Sequence, residues 1–207
     1  MDVRIEKISE MNYNFFMPKV TFIKSAVKFS DFPEHDLKEI AIAGRSNAGK
    51  SSLINIWAGG KVAKVSQTPG KTRLLNFFNM NDSYCLVDMP GYGFASRGAE
   101  EIKLWRKMIE NYLKQRPQLV GLVLLIDMAR EWAMDEESIA QFVMKNDIPV
   151  AIVLTKSDKF SKQDIERALA RIKKQSRIEE VFPISSQTKN GCDAVEDFMY
   201  RAWVKEQ

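Results

Sequence analysis

Residues 39–55, Glu39-Ile40-Ala41-Ile42-Ala43-Gly44-Arg45-Ser46-Asn47-Ala48-Gly49-Lys50-Ser51-Ser52-Leu53-Ile54-Asn55, run from an apolar stretch through a short loop into a helix-forming stretch. Glu39 to Ala43 reads as a strand ending at Gly44, and Lys50 to Trp57 reads as the next helix. Between them, Gly44 to Ser51 fits G-x-x-x-x-G-K-[ST]. Glycines let the backbone wrap closely round phosphate oxygens, so that its N–H groups point inward. The helix opening near Lys50 adds its positive end. Lys50 supplies a point charge for the β- and γ-phosphates, and the Ser51 hydroxyl is a ligand for Mg²⁺. The motif follows a strand and opens a helix, the context that gives it a phosphate-binding meaning.

Outward from this stretch, short apolar runs alternate with segments of helical period, the pattern of a doubly wound, mostly parallel α/β sheet. Leu74 to Met80 and Tyr84 to Asp88 read as strands joined by the polar turn Asn81-Asp82-Ser83, a hairpin. Ile102, Trp105, Ile109 and Tyr112 recur at helical spacing, with Lys103, Arg106 and Lys107 turned outward. Leu119 to Ile126 is almost wholly apolar, as a central strand covered on both faces should be. A helix over Asp135 to Lys145, a strand over Pro149 to Leu154, a helix capped by Ser161, a strand over Val181 to Ile184 and a final amphipathic helix complete the count at six strands. The first ~38 residues are less regular, and the expected division is an extension over 1–21 followed by one domain over 22–207. The polar stretch Gly59 to Thr72 reads as a long functional loop.

Bulk properties narrow the class. An apolar content of 45% in 207 residues suits one globular domain. No stretch is apolar enough to span a bilayer, the start is too charged for a signal peptide, and Lys205-Glu206-Gln207 carries no lipid-acceptor cysteine, so a cytoplasmic location is expected, with no membrane partner. Two cysteines cannot form a disulfide framework, and the single His35, between Glu34 and Asp36, reads as a surface residue. The net charge of +4 is compatible with nucleic acid or an acidic surface.

Asp88-Met89-Pro90-Gly91 ends a strand at the edge where doubly wound sheets hold ligands. Asp88 can hold Mg²⁺ through a water, and the Gly91 N–H can meet a γ-phosphate. In the loop between the two motifs, Thr68 or Thr72 can complete the metal shell when a γ-phosphate is present, the basis of a switch. Thr155-Lys156-Ser157-Asp158 follows another strand. Asp158 can accept two hydrogen bonds from the guanine N1–H and N2–H₂, and adenine would leave it unsatisfied at a cost of roughly 1–3 kcal/mol. Lys156 can lay its stem over the base, and the Ser185-Ser186 loop after Ile184 can offer an N–H to the guanine O6. Guanine nucleotide is therefore the expected ligand. A phosphate-loop kinase or ATPase would share Gly44 to Ser51 but have no use for Asp158.

Taken together, Gly44 to Asn55, Thr68-Pro69-Gly70-Lys71-Thr72, Asp88-Met89-Pro90-Gly91-Tyr92-Gly93-Phe94-Ala95, Thr155-Lys156-Ser157-Asp158 and Ser185-Ser186 resemble the EngB (YihA/YsxC) family of bacterial ribosome-assembly GTPases, of the TrmE-Era-EngA-EngB-Septin-like class. The P-G-Y-G-F-A run and T-K-x-D in place of the commoner N-K-x-D are the specific parts, and the resemblance spans about Phe22 to Trp203. It implies a P-loop NTPase G domain with a six-stranded sheet, one antiparallel edge strand and helices on both faces. It implies GTP and GDP as ligands, Mg²⁺ held by Ser51, Thr72 and Asp88, and further contacts from Ser52, Gly70 and Lys71. It also implies binding to the large (50S) ribosomal subunit and its rRNA during assembly, and a link to cell division and septation. A monomer with no DNA partner is expected.

Where Ras-type GTPases place a water-orienting glutamine, this chain has Tyr92, so unaided hydrolysis is expected to be slow. Asn47 resembles the phosphate-loop asparagine of GTPases activated by K⁺. Lys50, Thr72 and Asn47 are the groups expected to act on the reaction. A second functional reading is a switch that binds a cell-division partner away from the ribosome.

Overall fold

The computed structural model describes residues 20–63, 74–92 and 99–205, and for 99–102 and 104–106 the backbone alone. Its elements in chain order are β1 (Val20–Ala26), β2 (Glu39–Gly44), α1 (Lys50–Trp57), β3 (Leu75–Met80), β4 (Tyr84–Asp88), α2 (Ala99–Gln115), β5 (Leu119–Asp127), α3 (Met134–Met144), β6 (Val150–Thr155), α4 (Lys162–Ser176), β7 (Val181–Pro183) and α5 (Cys192–Met199), which runs on into a wider turn over Tyr200–Val204. The strands form one sheet in the order β1-β3-β4-β2-β5-β6-β7.

The central strands β2, β4, β5 and β6 pair in parallel and are buried on both faces, which is why they read as continuous apolar runs. One face packs Leu53, Ile54 and Trp57 of α1 and Val195 and Met199 of α5. The other packs Tyr112 of α2, Val143 of α3 and Ile172 of α4. Helices thus cover both faces, and the loops at the carboxyl ends of the parallel strands are left to form a site.

The sheet has seven strands among the described residues, not the six expected. The additional strand, β1, pairs antiparallel with β3, from Val20 opposite Met80 to Ala26 opposite Leu75. Consequently β3, the one strand running against the rest, lies inside the sheet, and β1 is the edge. The strand escaped sequence reading because its pairing slips between Phe22 and Lys24, which breaks the alternation of inward and outward residues. The Ser25 hydroxyl fastens it to Asn76 Oδ1 at 2.6 Å.

His35 also departs from expectation. It turns inward, 14% exposed, with Nε2 3.2 Å from Glu39 Oε1. Glu39 is fully buried, and a lone carboxylate there would be costly. The Tyr112 hydroxyl (2.9 Å) and the Arg116 guanidinium (2.9 and 2.7 Å) donate to it, fixing α2 and the start of β5 to the amino end of β2.

Candidate nucleotide site

The loop after β2 owes its shape to close approach. A Cβ on Gly44 would lie 2.6 Å from the Leu125 carbonyl oxygen, so β5 leaves room for hydrogen alone. Asn47 and Gly49 both have positive φ, 63° and 97°, the left-handed turn that points successive amides to one side. Ala48 is buried, and its N–H donates to the Arg45 carbonyl at 3.1 Å. Ser51 and Ser52 lie half-buried in the first turn of α1, and the Asn47 side chain is exposed.

Lys50 is buried, and its ammonium donates to the Gly44 carbonyl at 3.1 Å, so the lysine curls back over the loop it serves. Burial lowers its pKa, and the facing Asp88 carboxylate opposes that shift. Asp88, at the end of β4, is 4% exposed. Burial pushes its carboxyl up to about 6, held back by Lys50 and by a hydrogen bond with the Asn76 amide. Its Oδ1 has no hydrogen-bond partner. A buried carboxylate oxygen without a partner is expensive, and one facing Lys50 of a phosphate-type loop suits a hard divalent cation.

Met89, Pro90 and Gly91 continue from β4 into the phosphate loop. The Met89 N–H donates to the Ile42 carbonyl at 2.9 Å. A Cβ on Gly91 would stand 3.0 Å from the Ser46 nitrogen, so glycine is what lets the two segments touch. Ser46 N–H donates to the Tyr92 carbonyl at 3.3 Å, and Arg45 and Tyr92 form a short parallel bridge. The Arg45 guanidinium lies 6.0 Å from the Tyr92 ring and is committed to α3, at 2.9 Å from both Glu136 and Asp135. Burial and then Glu136 push the Tyr92 phenol above its ordinary range, so Tyr92 is a neutral, packed side chain.

The second half of the site lies across β6 and β7. Thr155 ends β6 and its hydroxyl donates to the Ile126 carbonyl at 3.4 Å. Lys156 adopts a left-handed φ of 63°, and its ammonium bonds Asp127 Oδ2 at 2.5 Å. Burial works against the charge on Asp127, but the Lys156 bond and the Ala129 N–H outweigh it and hold the carboxyl below its ordinary value. Asp127 was not legible in the sequence as a site residue. The one signal was an acidic residue closing an otherwise apolar strand.

Asp158 is exposed, and its Oδ1 accepts from the Ser185 hydroxyl at 2.6 Å. The same Ser185 oxygen accepts from the N–H groups of Gln187 and Thr188 at 3.2 and 3.1 Å. The Ser157 N–H donates to the Ile184 carbonyl at 3.0 Å, and Ile184 N–H to Leu154 at 2.8 Å, so the two loops are stitched together behind the carboxylate. Ser186 follows, half-buried. Thr68, Pro69, Gly70, Lys71, Thr72, Gly93 to Ala95 and Arg97 lie outside the described residues, as do the side chains of Ile102, Trp105 and Arg106.

The chain is similar to known proteins over most of its length. Residues 39–156 match the family described as 50S ribosome-binding GTPase. A probable GTP-binding protein EngB from Bdellovibrio bacteriovorus is 54% identical over 92% of this chain and 96% of its own length. Another, from Desulfosudis oleivorans, is 46% identical over 83% of this chain and 89% of its own. Among solved structures, a probable GTP-binding protein engB superposes with a TM-score of 0.67 at 23% identity over 79% of this chain and 97% of that one. Aquifex aeolicus Era Y63A bound to GDP·AlF₄⁻ superposes at 0.66 with 26% identity, over 82% of this chain and 57% of that one. At these identities and coverages the chain belongs to the EngB family of GTP-binding proteins, a family of GTPases.

Proposed function

We propose that the chain is a Mg²⁺-dependent GTP switch that hydrolyses GTP slowly on its own and acts in assembly of the large ribosomal subunit, with normal cell division and septation depending on it. The observation that carries guanine specificity is the Asp158 carboxylate braced by Ser185. A donor pair such as guanine N1–H and N2–H₂ meets an acceptor that is already oriented, whereas adenine offers no match. Lys156, anchored at Asp127, would lie beside the base, with Ile184, Ser185 and Ser186 behind it.

At the other end, backbone amides from Gly44 to Ser51, with Ser52 behind them, would cradle the phosphates and Lys50 would meet their charge. Ser51 and Asp88 would hold Mg²⁺, joined by Thr72. Bound there, the cation would neutralise charge on the phosphates. Asp88 Oδ1 is the buried acceptor that such a cation would relieve. Slow intrinsic turnover is supported by Tyr92, which takes the sequence position of a water-orienting glutamine and whose phenol is buried. Asn47, exposed on the loop, supports stimulation by K⁺. The exposed Lys103 and Lys107 of α2 offer charge to rRNA.

The test is co-sedimentation of the chain with 50S particles in GTP and in GDP across a salt series, with single-turnover hydrolysis followed on the same samples in K⁺ and in Na⁺. Association in GTP that weakens steeply with salt, and faster turnover with particles or K⁺, are the expected results. Equal recovery in the two nucleotides would remove the ribosomal reading in favour of a switch with a cell-division partner, and equal rates in K⁺ and Na⁺ would remove the role of Asn47.

A further inference from the structure

At the amino edge of the sheet, opposite the edge that carries Gly44 and Asp88, the end of α1, the β3–β4 turn and α5 line a second, open cavity of about 460 Å³. Its walls combine Trp57, Tyr84 and Tyr200 with three acids of α5, Asp193, Glu196 and Asp197. The acids sit at i, i+3 and i+4 on one helix face, where like charges repel. Asp197 is paired with Arg201 at 2.7 Å. Asp193 and Glu196 have no ion pair among the described residues, and Lys189 on the rim makes none with them. The chain as a whole carries +4, so this acidic pocket runs against its overall charge.

An independent feature points to a ligand. Tyr84 lines the cavity, is 3% exposed, and its hydroxyl has no hydrogen-bond partner. Native proteins rarely leave a buried hydroxyl unmatched, because its lost hydration is not recovered. The Trp57 indole N–H is already spent on the Cys192 carbonyl at 3.1 Å, so Trp57 contributes ring surface. Tyr200, 40% exposed, packs its ring 6.4 Å from that of Tyr84 and leaves part of its face open. Carboxylates, a phenol oxygen able to accept, and an open aromatic face form the acceptor set that a flat cation satisfies.

We propose that this pocket docks an arginine side chain presented by a basic partner protein, its guanidinium donating to Glu196 and to the Tyr84 hydroxyl while stacking on Tyr200. A nucleic-acid phosphate would be repelled here, so the pocket selects protein over RNA. Burial, with Asp193 and Asp197 alongside, holds the Glu196 carboxyl at about 7. Docking therefore strengthens as the pH rises from about 6 to about 8 and Glu196 gains its charge. The other titratable groups facing it are Asp193 and Asp197 on α5, Tyr84 on β4, and Lys189 and Tyr200 at the rim, while α1 supplies none.

The experiment is an NMR titration of the ¹⁵N-labelled, GDP-loaded full chain, read at the Trp57 indole N–H, with the other tryptophans as internal controls. The probes are N-acetyl-arginine amide, its uncharged isostere N-acetyl-citrulline amide, and N-acetyl-lysine amide, at matched ionic strength. Saturable movement of Trp57 with the arginine probe, none with citrulline and a weaker response to lysine are expected. Glu196→Gln and Tyr84→Phe should each weaken arginine binding by about fivefold or more, with GDP affinity unchanged. Tyr84→Phe should not lower the melting temperature, because the hydroxyl it removes has no partner in the free protein. No saturable shift, equal shifts with citrulline, lysine binding as tightly as arginine, or unchanged arginine affinity in the folded variants would overturn the proposal.

Discussion

At the phosphate end of the nucleotide site, charges are buried and incompletely matched: Lys50 reaches only the Gly44 carbonyl, and Asp88 keeps a partnerless oxygen at 4% exposure. At the base end, charges are more exposed and already matched: Lys156 bonds Asp127, and Asp158 bonds Ser185. The phosphate end therefore holds electrostatic stress in the free protein that a phosphate and its cation relieve, which makes it the source of affinity. The base end is held in place before the ligand arrives, which makes it the source of discrimination. Mutations at the two ends should differ in kind as well as in size.

The largest effect is expected at Lys50. Lys50→Met keeps the length of the side chain and removes the charge. It should weaken GDP and GTP by roughly 500-fold, about 4 kcal/mol, in a fluorescent-nucleotide titration. The nucleotide-free protein should melt no lower, since a poorly matched buried cation has been replaced by an apolar side chain and Asp88 can take up a proton instead. A loss below about tenfold would mean that the phosphates are anchored elsewhere. Asp158→Asn should cost less overall but change the ligand. Two charge-assisted hydrogen bonds at about 1.5 kcal/mol each predict roughly 100-fold weaker GTP. Xanthosine triphosphate should gain, because its extra carbonyl meets the new amide N–H. Unchanged GTP affinity would mean that Asp158 does not read the base.

How much of this was readable in advance follows from where each interaction closes. The strands β2, β4, β5 and β6 and the loop Gly44 to Ser51 were legible because burial on both faces and a local phosphate-shaped turn each leave a contiguous signature. The Ser161 cap was legible for the same reason, and its hydroxyl does accept from the Asp164 N–H at 3.2 Å. What escaped is non-local. Lys156 finds Asp127 across 29 positions, and Arg45 finds Glu136 across 91, pairings that exist only once β5 lies between β2 and β6. β1 escaped because what holds it is the non-local ladder to β3, not a regular pattern of its own. His35 escaped because its acidic sequence neighbours suggested solvent, while the residue it meets is the buried Glu39.

The smallest effect tests whether the base end is braced or merely crowded. Ser185→Ala removes one hydroxyl that donates to Asp158 and accepts from Gln187 and Thr188. Asp158 itself remains, so guanine still finds both acceptor oxygens, now on a carboxylate that must be ordered on binding. A loss of about 1 kcal/mol, roughly fivefold in GTP affinity, is expected, with no gain for xanthosine triphosphate. Hydrogen exchange should quicken at the Gln187 and Thr188 amides in the nucleotide-free variant, because their acceptor is gone. If GTP affinity fell fivefold without faster exchange, Ser185 would act on the nucleotide directly. If exchange quickened and affinity held, the brace would be structural, and discrimination would rest on the Asp158 carboxylate alone.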